Sequence, residues 1–151
     1  MKFHTHILFS VVIGLAIMRF FPASGLFFSS LIFSTALPDI DDYHSFLGRR
    51  IKALSVPLKL IFGHREFFHS LLFAFIGAFL LSTIRLDIGF GFLIGVCSHL
   101  FLDGMTREGI FPLWPLRWRM NGFIRTGGII EHIFFALLLV ACIFLLFSRN
   151  L

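Results

Sequence analysis

The stretch GVCSHLFLDGMT, residues 95–106, is largely apolar and carries a histidine, His99, followed four residues later by an aspartate, Asp103. Because a helix turns about 100° per residue, these two side chains lie on one helix face and can contact the same object. An imidazole and a carboxylate near lipid are unfavourable unless something satisfies them, so the pair indicates a functional site within a membrane segment. Taken alone, the pair fits equally well with a hydrogen bond between packed helices.

The composition indicates that the whole chain, residues 1–151, is one integral membrane domain. Hydrophobic residues make up 58% of the chain and charged residues only 14%, against roughly 25% charged in a soluble domain. The two cysteines, Cys97 and Cys142, provide no disulfide framework and no CxxC motif. The net charge of +5 fits cytoplasmic loops that meet anionic lipid head groups, and we expect no direct binding of nucleic acid.

Apolar runs predict an all-α fold, a polytopic transmembrane bundle of about five helices. The runs cover residues 3–21, 23–37, 67–84, 88–102 and 129–147. The second and fourth hold about 15 residues, or roughly 22 Å of helix, which is less than a hydrocarbon core of roughly 30 Å. Their polar ends are therefore expected slightly below the membrane surface. Two alternatives stay open: four spans with a re-entrant first pair, and a first run that is cleaved as a signal peptide.

Basic residues predict the orientation of the bundle. Ten of the 13 lysines and arginines lie at the N-terminus and in the second and fourth connections, and three lie elsewhere. Since positive charge concentrates in cytoplasmic loops, we predict a multi-pass protein of the inner (cytoplasmic) membrane, with the N-terminus and loops 38–66 and 103–128 inside. Residues 49–62 read as an amphipathic segment on the inner leaflet, and Trp114 and Trp118 beside Arg117 and Arg119 as an interfacial anchor.

Histidines and carboxylates from all five predicted helices fall at this cytoplasmic end. They are His4, His6, Asp39, Asp41, Asp42, His64, His69, His99, Asp103, Glu131 and His132. Nitrogen and oxygen ligands in combination suit Zn²⁺, Mn²⁺ or Fe²⁺, and the number of candidates is enough for one ion or two. The convergence therefore predicts a divalent-metal centre, and a purely structural polar network is the alternative.

Helix geometry decides between neighbouring candidates at the two ends of the chain. His4 and His6 lie about 200° apart on a helix, so only one of them can point inward, and His6 is the deeper. Glu131 and His132 are adjacent and also diverge, and here we favour Glu131.

Two further groups of candidates depend on the local backbone. Asp39 and Asp41 share a face if the segment after Pro38 is extended, which leaves Asp42 next to the centre or in solvent. His64 and His69 are five residues apart, so both can serve only if His64 precedes the helix proper.

Several short motifs resemble the YdjM-like family of bacterial and archaeal inner-membrane proteins, which are described as metal-dependent hydrolases. The motifs are Thr5-His6, Leu37-Pro38-Asp39-Ile40-Asp41, His64-Arg65, His69-Ser70, Ser98-His99-Leu100-Phe101-Leu102-Asp103 and Trp114-Pro115. The resemblance covers nearly the whole chain and implies a membrane-embedded helical protein. The metal site that it implies consists of His6, Asp39, Asp41, His64, His69, His99 and Asp103. Glu66 and Phe68 replace smaller residues of the family pattern, so we expect altered access to the pocket.

The leading functional hypothesis is metal-dependent hydrolysis of a phosphoester, with a membrane lipid or lipid-linked substrate that enters from the inner leaflet. Zn²⁺ or Mn²⁺, as one ion or two, would activate the attacking water, and Asp42 or Glu131 would accept its proton. Arg65 would clamp the phosphate, unless it serves only to set topology. The alternative is a metal-binding membrane protein for transport, sensing or partner interaction without hydrolysis. Transport fits less well, because carrier sites normally lie at the membrane midplane.

Overall fold

The computed structural model describes residues 1–18, 25–41, 45, 48–50 and 66–148. These residues form five α-helices and no β-strand, which confirms the prediction of an all-helical fold with five helices. The helices are α1 (Phe3–Ile17), α2 (Gly25–Ala36), α3 (Leu71–Ser82), α4 (Leu86–Gly104) and α5 (Ile129–Phe147). A short 3₁₀ helix, Pro38–Asp41, follows α2.

Two helices differ in length from the apolar runs that predicted them. The apolar run that predicted α4, residues 88–102, excludes Asp87 and Asp103, but the helix spans 19 residues and includes both. Asp87 fits in the first turn because it pairs with the guanidinium of Arg85 at 3.0 Å, and Asp103 is buried among histidines. In contrast, α3 spans only 12 residues, because the Ser70 hydroxyl caps it by accepting a hydrogen bond from the Phe73 N–H at 3.2 Å.

Two of the helices, α4 and α5, are each long and apolar enough to cross a membrane, and α1 and α3 are shorter apolar helices. The bundle buries more than half of α4, whereas α5 exposes apolar side chains such as Ile133 and Phe144 along most of its length. In a bilayer such a face contacts acyl chains, which are as apolar as the side chains themselves. The number of crossings and the cytoplasmic position of the N-terminus stay predictions.

Close packing of α4 against α2 forms the centre of the bundle. A Cβ atom at Gly91 or Gly95 would lie 2.5 or 2.4 Å from a carbonyl oxygen of α2, so only glycine permits this approach. The Ser30 hydroxyl donates a hydrogen bond to the carbonyl oxygen of Ile88 at 2.8 Å and links the same two helices. Small residues and interhelical hydroxyl bonds are the usual means of helix association in membranes. This contact fixes the segment that follows α2 beside the C-terminal end of α4.

The other helices surround α4. Ala74 and Ala78 of α3 pack against Phe92 and Val96 of α4 in a buried apolar cluster. The first helix, α1, packs against α2, α4 and α5, while α5 has its main packing contact with α1. The N-terminal end of α1 therefore lies against the C-terminal end of α4, where the predicted site residues occur.

The connection between α4 and α5 folds back on itself. Ile110 and Met120 exchange backbone hydrogen bonds of 2.9 Å, and the Leu71 N–H donates to the carbonyl oxygen of Pro112 at 2.8 Å, which ties the connection to the start of α3. Of the predicted anchor residues, Trp114 is half-buried and donates its indole N–H to Glu66 at 3.3 Å. Most of the predicted amphipathic segment, residues 51–62, lies outside the described residues.

Candidate metal centre

The structure brings six of the seven predicted metal ligands into one cluster. His6 belongs to the first turn of α1, Asp39 and Asp41 to the 3₁₀ helix, His69 to the turn before α3, and His99 and Asp103 to the last turns of α4. All are buried except Asp39, whose side chain is 23% exposed. The seventh predicted ligand, His64, lies outside the described residues.

Asp103 stands at the middle of the cluster, because its two carboxylate oxygens face different histidines. Its Oδ1 atom lies 3.2 Å from Nε2 of His6 and accepts a hydrogen bond of 2.9 Å from the amino group of Met1. Its Oδ2 atom lies 3.5 Å from Nε2 of His99 and 3.7 Å from Nε2 of His69. The i,i+4 relation of His99 and Asp103 on α4 thus places both side chains at one point, as the helical spacing predicts.

Asp39 and Asp41 both reach the cluster although the segment after Pro38 is a 3₁₀ helix and not the extended backbone that was considered for it. Oδ1 of Asp39 lies 3.8 Å from Nε2 of His99, and Oδ2 of Asp41 lies 3.8 Å from Nδ1 of His69. Separations of 3.5–3.8 Å are too long for hydrogen bonds. They approach the separation of about 3.3 Å between two ligands of a tetrahedral ion whose bonds measure about 2.0–2.1 Å. The spacing is therefore compatible with side chains that share a small cation.

Several imidazole nitrogens in the cluster are buried without a hydrogen-bond partner among the described residues. These atoms are Nδ1 of His6, both nitrogens of His69 and Nε2 of His99. An unsatisfied buried polar atom normally costs about 1–3 kcal/mol, which is why such atoms are rare in folded proteins. Metal coordination would satisfy one nitrogen of each imidazole, since a neutral imidazole offers a single lone pair, so the residues present fit a divalent ion.

Contacts behind the cluster orient its imidazoles. Nδ1 of His99 lies 2.8 Å from the carbonyl oxygen of Thr35, which directs the other nitrogen, Nε2, toward the carboxylates. Metal-binding histidines are commonly held in this way by a backbone carbonyl. The ring of His99 also stacks on that of His6, with centroids 4.1 Å apart and planes 16° from parallel. These contacts hold the two rings in defined orientations.

Two groups of three side chains could hold a metal ion, and His99 belongs to both. The first group is His6, His99 and Asp103, and the second is Asp39, His69 and His99. Within each group the ligand atoms lie within 4.8 Å of one another. Imidazole and carboxylate ligands together suit Zn²⁺, Mn²⁺ or Fe²⁺. The shared histidine and the two-sided carboxylate of Asp103 are compatible with one ion or with two neighbouring ions.

Of the three predicted catalytic residues, the structure describes only Glu131. Asp42 and Arg65 lie outside the described residues. Glu131 is buried, but it belongs to neither metal-ligand group, and its carboxylate accepts hydrogen bonds from Lys2 N, Thr5 Oγ1 and Gly127 N at 2.6, 2.9 and 2.6 Å. These bonds tie the start of α1 to the start of α5. The assignment of Glu131 as a general base stays a prediction.

His4 and His132, which helix geometry disfavoured as metal ligands, contact groups outside the cluster. The ring of His4 packs edge-on against Phe135, with centroids 4.9 Å apart, and His132 is exposed, with its Nδ1 atom 2.8 Å from the carbonyl oxygen of Gly128. Sequence reasoning did not foresee the contributions of Thr35 and Thr5. Thr35 acts through its backbone carbonyl, which no side-chain pattern reveals, whereas Thr5 directly precedes His6 and belongs to a motif already singled out.

A bundle of apolar helices that gathers imidazoles and carboxylates at one end belongs to the class of helical membrane proteins with a candidate metal centre. Within that class the chain belongs to the YdjM family, because the family model described as YdjM inner membrane protein matches residues 1–150. The family name supports membrane location and, through its members' names, the inner membrane. It names no reaction.

Individual relatives agree with this assignment. The chain is 44% identical over 99 residues to Inner membrane protein YdjM of Escherichia coli (strain K12) and of Shigella flexneri. These matches cover 61% of this chain and 50% of each relative, so the chain spans half the length of those two proteins. It is also 41% identical over 111 residues to YvsG of Bacillus subtilis (strain 168), covering 70% of this chain and 69% of YvsG. No solved structure matches the chain significantly.

Proposed function

We propose that this protein is a membrane-embedded, metal-dependent hydrolase of a phosphoester, with its site at the cytoplasmic end of the bundle. The observation that carries the proposal is the buried cluster of imidazoles and carboxylates, in which four of the six imidazole nitrogens have no hydrogen-bond partner among the described residues. A purely structural network would pair these atoms directly, at hydrogen-bond distances near 2.9 Å, since burial without pairing is destabilising.

The ligands of the metal would be His6, His69, His99, Asp39, Asp41 and Asp103, joined by His64. A divalent ion held by these residues would supply Lewis acidity, the property that polarises phosphoryl oxygens and lowers the pKa of water. Asp103 holds the histidines together through its two oxygens, and the Thr35 carbonyl keeps His99 in one orientation. Zn²⁺ and Mn²⁺ are the ions we expect, because both accept mixed nitrogen and oxygen ligands.

Two further residues would act on the proton and the phosphate. We assign the role of general base to Asp42, which directly follows the ligand Asp41 in the sequence, or to Glu131. Arg65 would neutralise the phosphate, because a guanidinium binds phosphate oxygens in a bidentate manner. The ten-to-three distribution of basic residues supports a substrate that arrives from the inner leaflet, where anionic lipids concentrate.

A matched pair of histidine variants tests the metal centre. We expect His6→Ala to lose most of the bound divalent metal and all phosphoester hydrolysis, because it removes a ligand next to Asp103. His4→Ala, only two residues away on the same helix, should retain both, because His4 contacts Phe135 and not the cluster. The measurements are elemental analysis of the purified protein and a panel of phosphomonoesters, phosphodiesters and phospholipids assayed in detergent.

The outcomes separate the candidate functions. Equal metal content in the two variants would refute the assignment of His6. A fully metallated wild-type protein that hydrolyses none of the panel would remove the hydrolase proposal. Metal binding for sensing, transport or partner interaction would then be the better account.

A further inference from the structure

An apolar groove runs along the outside of the bundle between α1 and α4. It encloses about 440 Å³ and opens at the protein surface. Its walls include Phe9, Ile13 and Ile17 of α1 and Ile94, Cys97 and Phe101 of α4. We refer to this feature as the α1–α4 groove. Its lining is apolar apart from the thiol of Cys97 and the hydroxyl of Ser98, so it offers little to a polar ligand.

The groove lies on the same two helices that carry His6, His99 and Asp103 of the candidate metal centre. On α1, Phe9, Ile13 and Ile17 follow His6 at intervals of three, seven and eleven residues, which places them on the same face of the helix. On α4, Ser98 lines the groove and directly precedes the candidate ligand His99. The polar cluster and the apolar groove are therefore neighbours along both helices.

The depth of the groove matches one leaflet of a bilayer. From residue 9 to residue 17 a helix rises about 12 Å, close to the roughly 15 Å that is half of a hydrocarbon core. A molecule with its polar head at the cluster would extend its apolar part along this length toward the membrane centre. That is the orientation of a phospholipid in a monolayer.

Aromatic rings line the end of the groove that lies nearest the cluster. The ring of Phe9 stacks on Phe101 with centroids 5.8 Å apart, and on the α5 side it lies 6.0 Å from the ring of Phe134.

We propose that the α1–α4 groove binds one acyl chain of a bilayer phospholipid whose phosphate group lies at the metal centre, which makes phospholipids the substrate class. The statement that phospholipids are substrates rests on the proposed function, whereas the binding of an acyl chain in the groove does not. An acyl chain fits the features of the groove: its lining is apolar, its length along α1 is close to one leaflet, and the two helices that form it also carry candidate metal ligands. Filling the groove with a chain also restores the dispersion contacts that its lining side chains otherwise lack.

Photocrosslinking in a defined bilayer tests the groove directly. The protein is reconstituted into nanodiscs that contain a phospholipid with a diazirine halfway along one acyl chain, and labelled peptides are mapped by mass spectrometry. We expect labelling to concentrate on α1 and α4 rather than on the exposed face of α5. Ile13→Trp should lower groove labelling about tenfold or more, because the indole displaces several buried methylene groups of the chain.

The control is the same substitution on a lipid-facing surface outside the groove. Ile133→Trp changes a residue of α5 that is 57% exposed and should leave groove labelling unchanged. Ile94→Trp blocks the groove from α4 and repeats the test if Ile13→Trp disturbs folding, which gel filtration and the melting temperature will show. Labelling that is as dense on α5 as in the groove, or that neither blocking variant reduces, would overturn the proposal.

The substrate role is measured with short-chain and long-chain phosphoesters. Ile13→Trp should lower hydrolysis of a long-chain phospholipid about tenfold or more and leave a short, water-soluble phosphodiester unaffected. Equal loss on both substrates would refute chain recognition in the groove. Selective groove labelling in a protein without any turnover would refute the hydrolase proposal but leave the lipid site, so the two failures are distinguishable.

Discussion

Three hydrogen-bond donors hold the side chain of Glu131, and each of its two carboxylate oxygens accepts at least one of these bonds. One oxygen accepts from the backbone of Lys2 and the hydroxyl of Thr5, and the other accepts from the backbone of Gly127. All three donors belong to segments that start α1 or α5. The carboxylate thus holds the N-terminal end of α1 in place, and with it His6, one residue after Thr5.

This geometry predicts that Glu131→Gln is not a neutral change. The amide has only one oxygen, so its NH₂ group would face an N–H or O–H donor on one side and leave that donor unsatisfied. We expect a loss of about 1–3 kcal/mol in the free energy of unfolding, seen as a lower melting temperature. Metal content should fall with it, because His6 loses its support.

Thr5→Val is the matched control for the hydrogen bonds of Glu131, since it removes one of the three donors and keeps the shape of the Thr5 side chain. It should cause a smaller drop in melting temperature in the same direction. If Glu131 acts instead as a general base, Glu131→Gln should lower the rate by about 10²–10⁴ with an unchanged melting temperature. Thr5→Val should then have little effect on turnover.

At the level of helices, the position of the metal centre depends on how closely α2 and α4 approach. Gly95 faces the backbone of α2, and the 3₁₀ helix that follows α2 carries Asp39 and Asp41. His99, four residues after Gly95, contacts both the end of α2 and Asp39. A change in the spacing of these two helices therefore changes the distance between the ligands.

Gly95→Ala should separate the two helices. Its Cβ atom would lie 2.4 Å from the carbonyl oxygen of Leu31 and 2.0 Å from Oγ of Ser34, and the helix backbone cannot yield without moving the whole of α2. Overpacking of this kind typically costs about 1–3 kcal/mol, so we expect a lower melting temperature. A weaker affinity for metal should accompany it, measured by titration of the metal-free protein.

Gly25→Ala is the control for the same substitution. Among the described residues, no atom beyond its chain neighbours and its own helix backbone lies within 4 Å of the position that its Cβ would occupy, although Gly25 also belongs to α2. Its melting temperature and metal affinity should match those of the wild type. An unchanged metal affinity in Gly95→Ala would show that the α2–α4 contact does not set the ligand distances.

For the whole molecule, the central prediction is its orientation in the membrane. The distribution of ten basic residues against three predicts that the N-terminus and the loops 38–66 and 103–128 face the cytoplasm. In a variant whose native Cys97 and Cys142 are replaced by serine, cysteines introduced at Ser45 and Asn121 should resist an impermeant thiol reagent added to intact cells. They should react in inverted membrane vesicles.

Thr83, which follows α3, is predicted to lie on the opposite side and provides the control. Thr83→Cys, at an exposed position, should react from outside intact cells. Labelling of the Ser45 and Asn121 variants from outside would reverse the orientation. Because the cluster lies at the same end as loop 103–128, that result would also move the proposed site away from the inner leaflet.

The sequence by itself determined the helical class, the number of helices and most of the residues that gather at one end. These properties follow from local physics. An apolar run must form a helix in lipid to satisfy its backbone, and i,i+4 spacing alone puts His99 and Asp103 on one face. The same reasoning separated His6 from His4, because two residues along a helix correspond to about 200° of rotation.

Only the tertiary structure decided which groups actually meet. The distances from Asp103 to His6 and His69 depend on how α1 and the start of α3 pack against α4, and this packing depends on glycines that no hydropathy pattern distinguishes. The carbonyl of Thr35 and the donors around Glu131 include backbone groups, which are the same in every residue and become specific only through position. The tertiary structure also decided where α4 begins and ends. Asp87 pairs with Arg85 and Asp103 contacts His99, and these contacts make it favourable to include both aspartates in the helix.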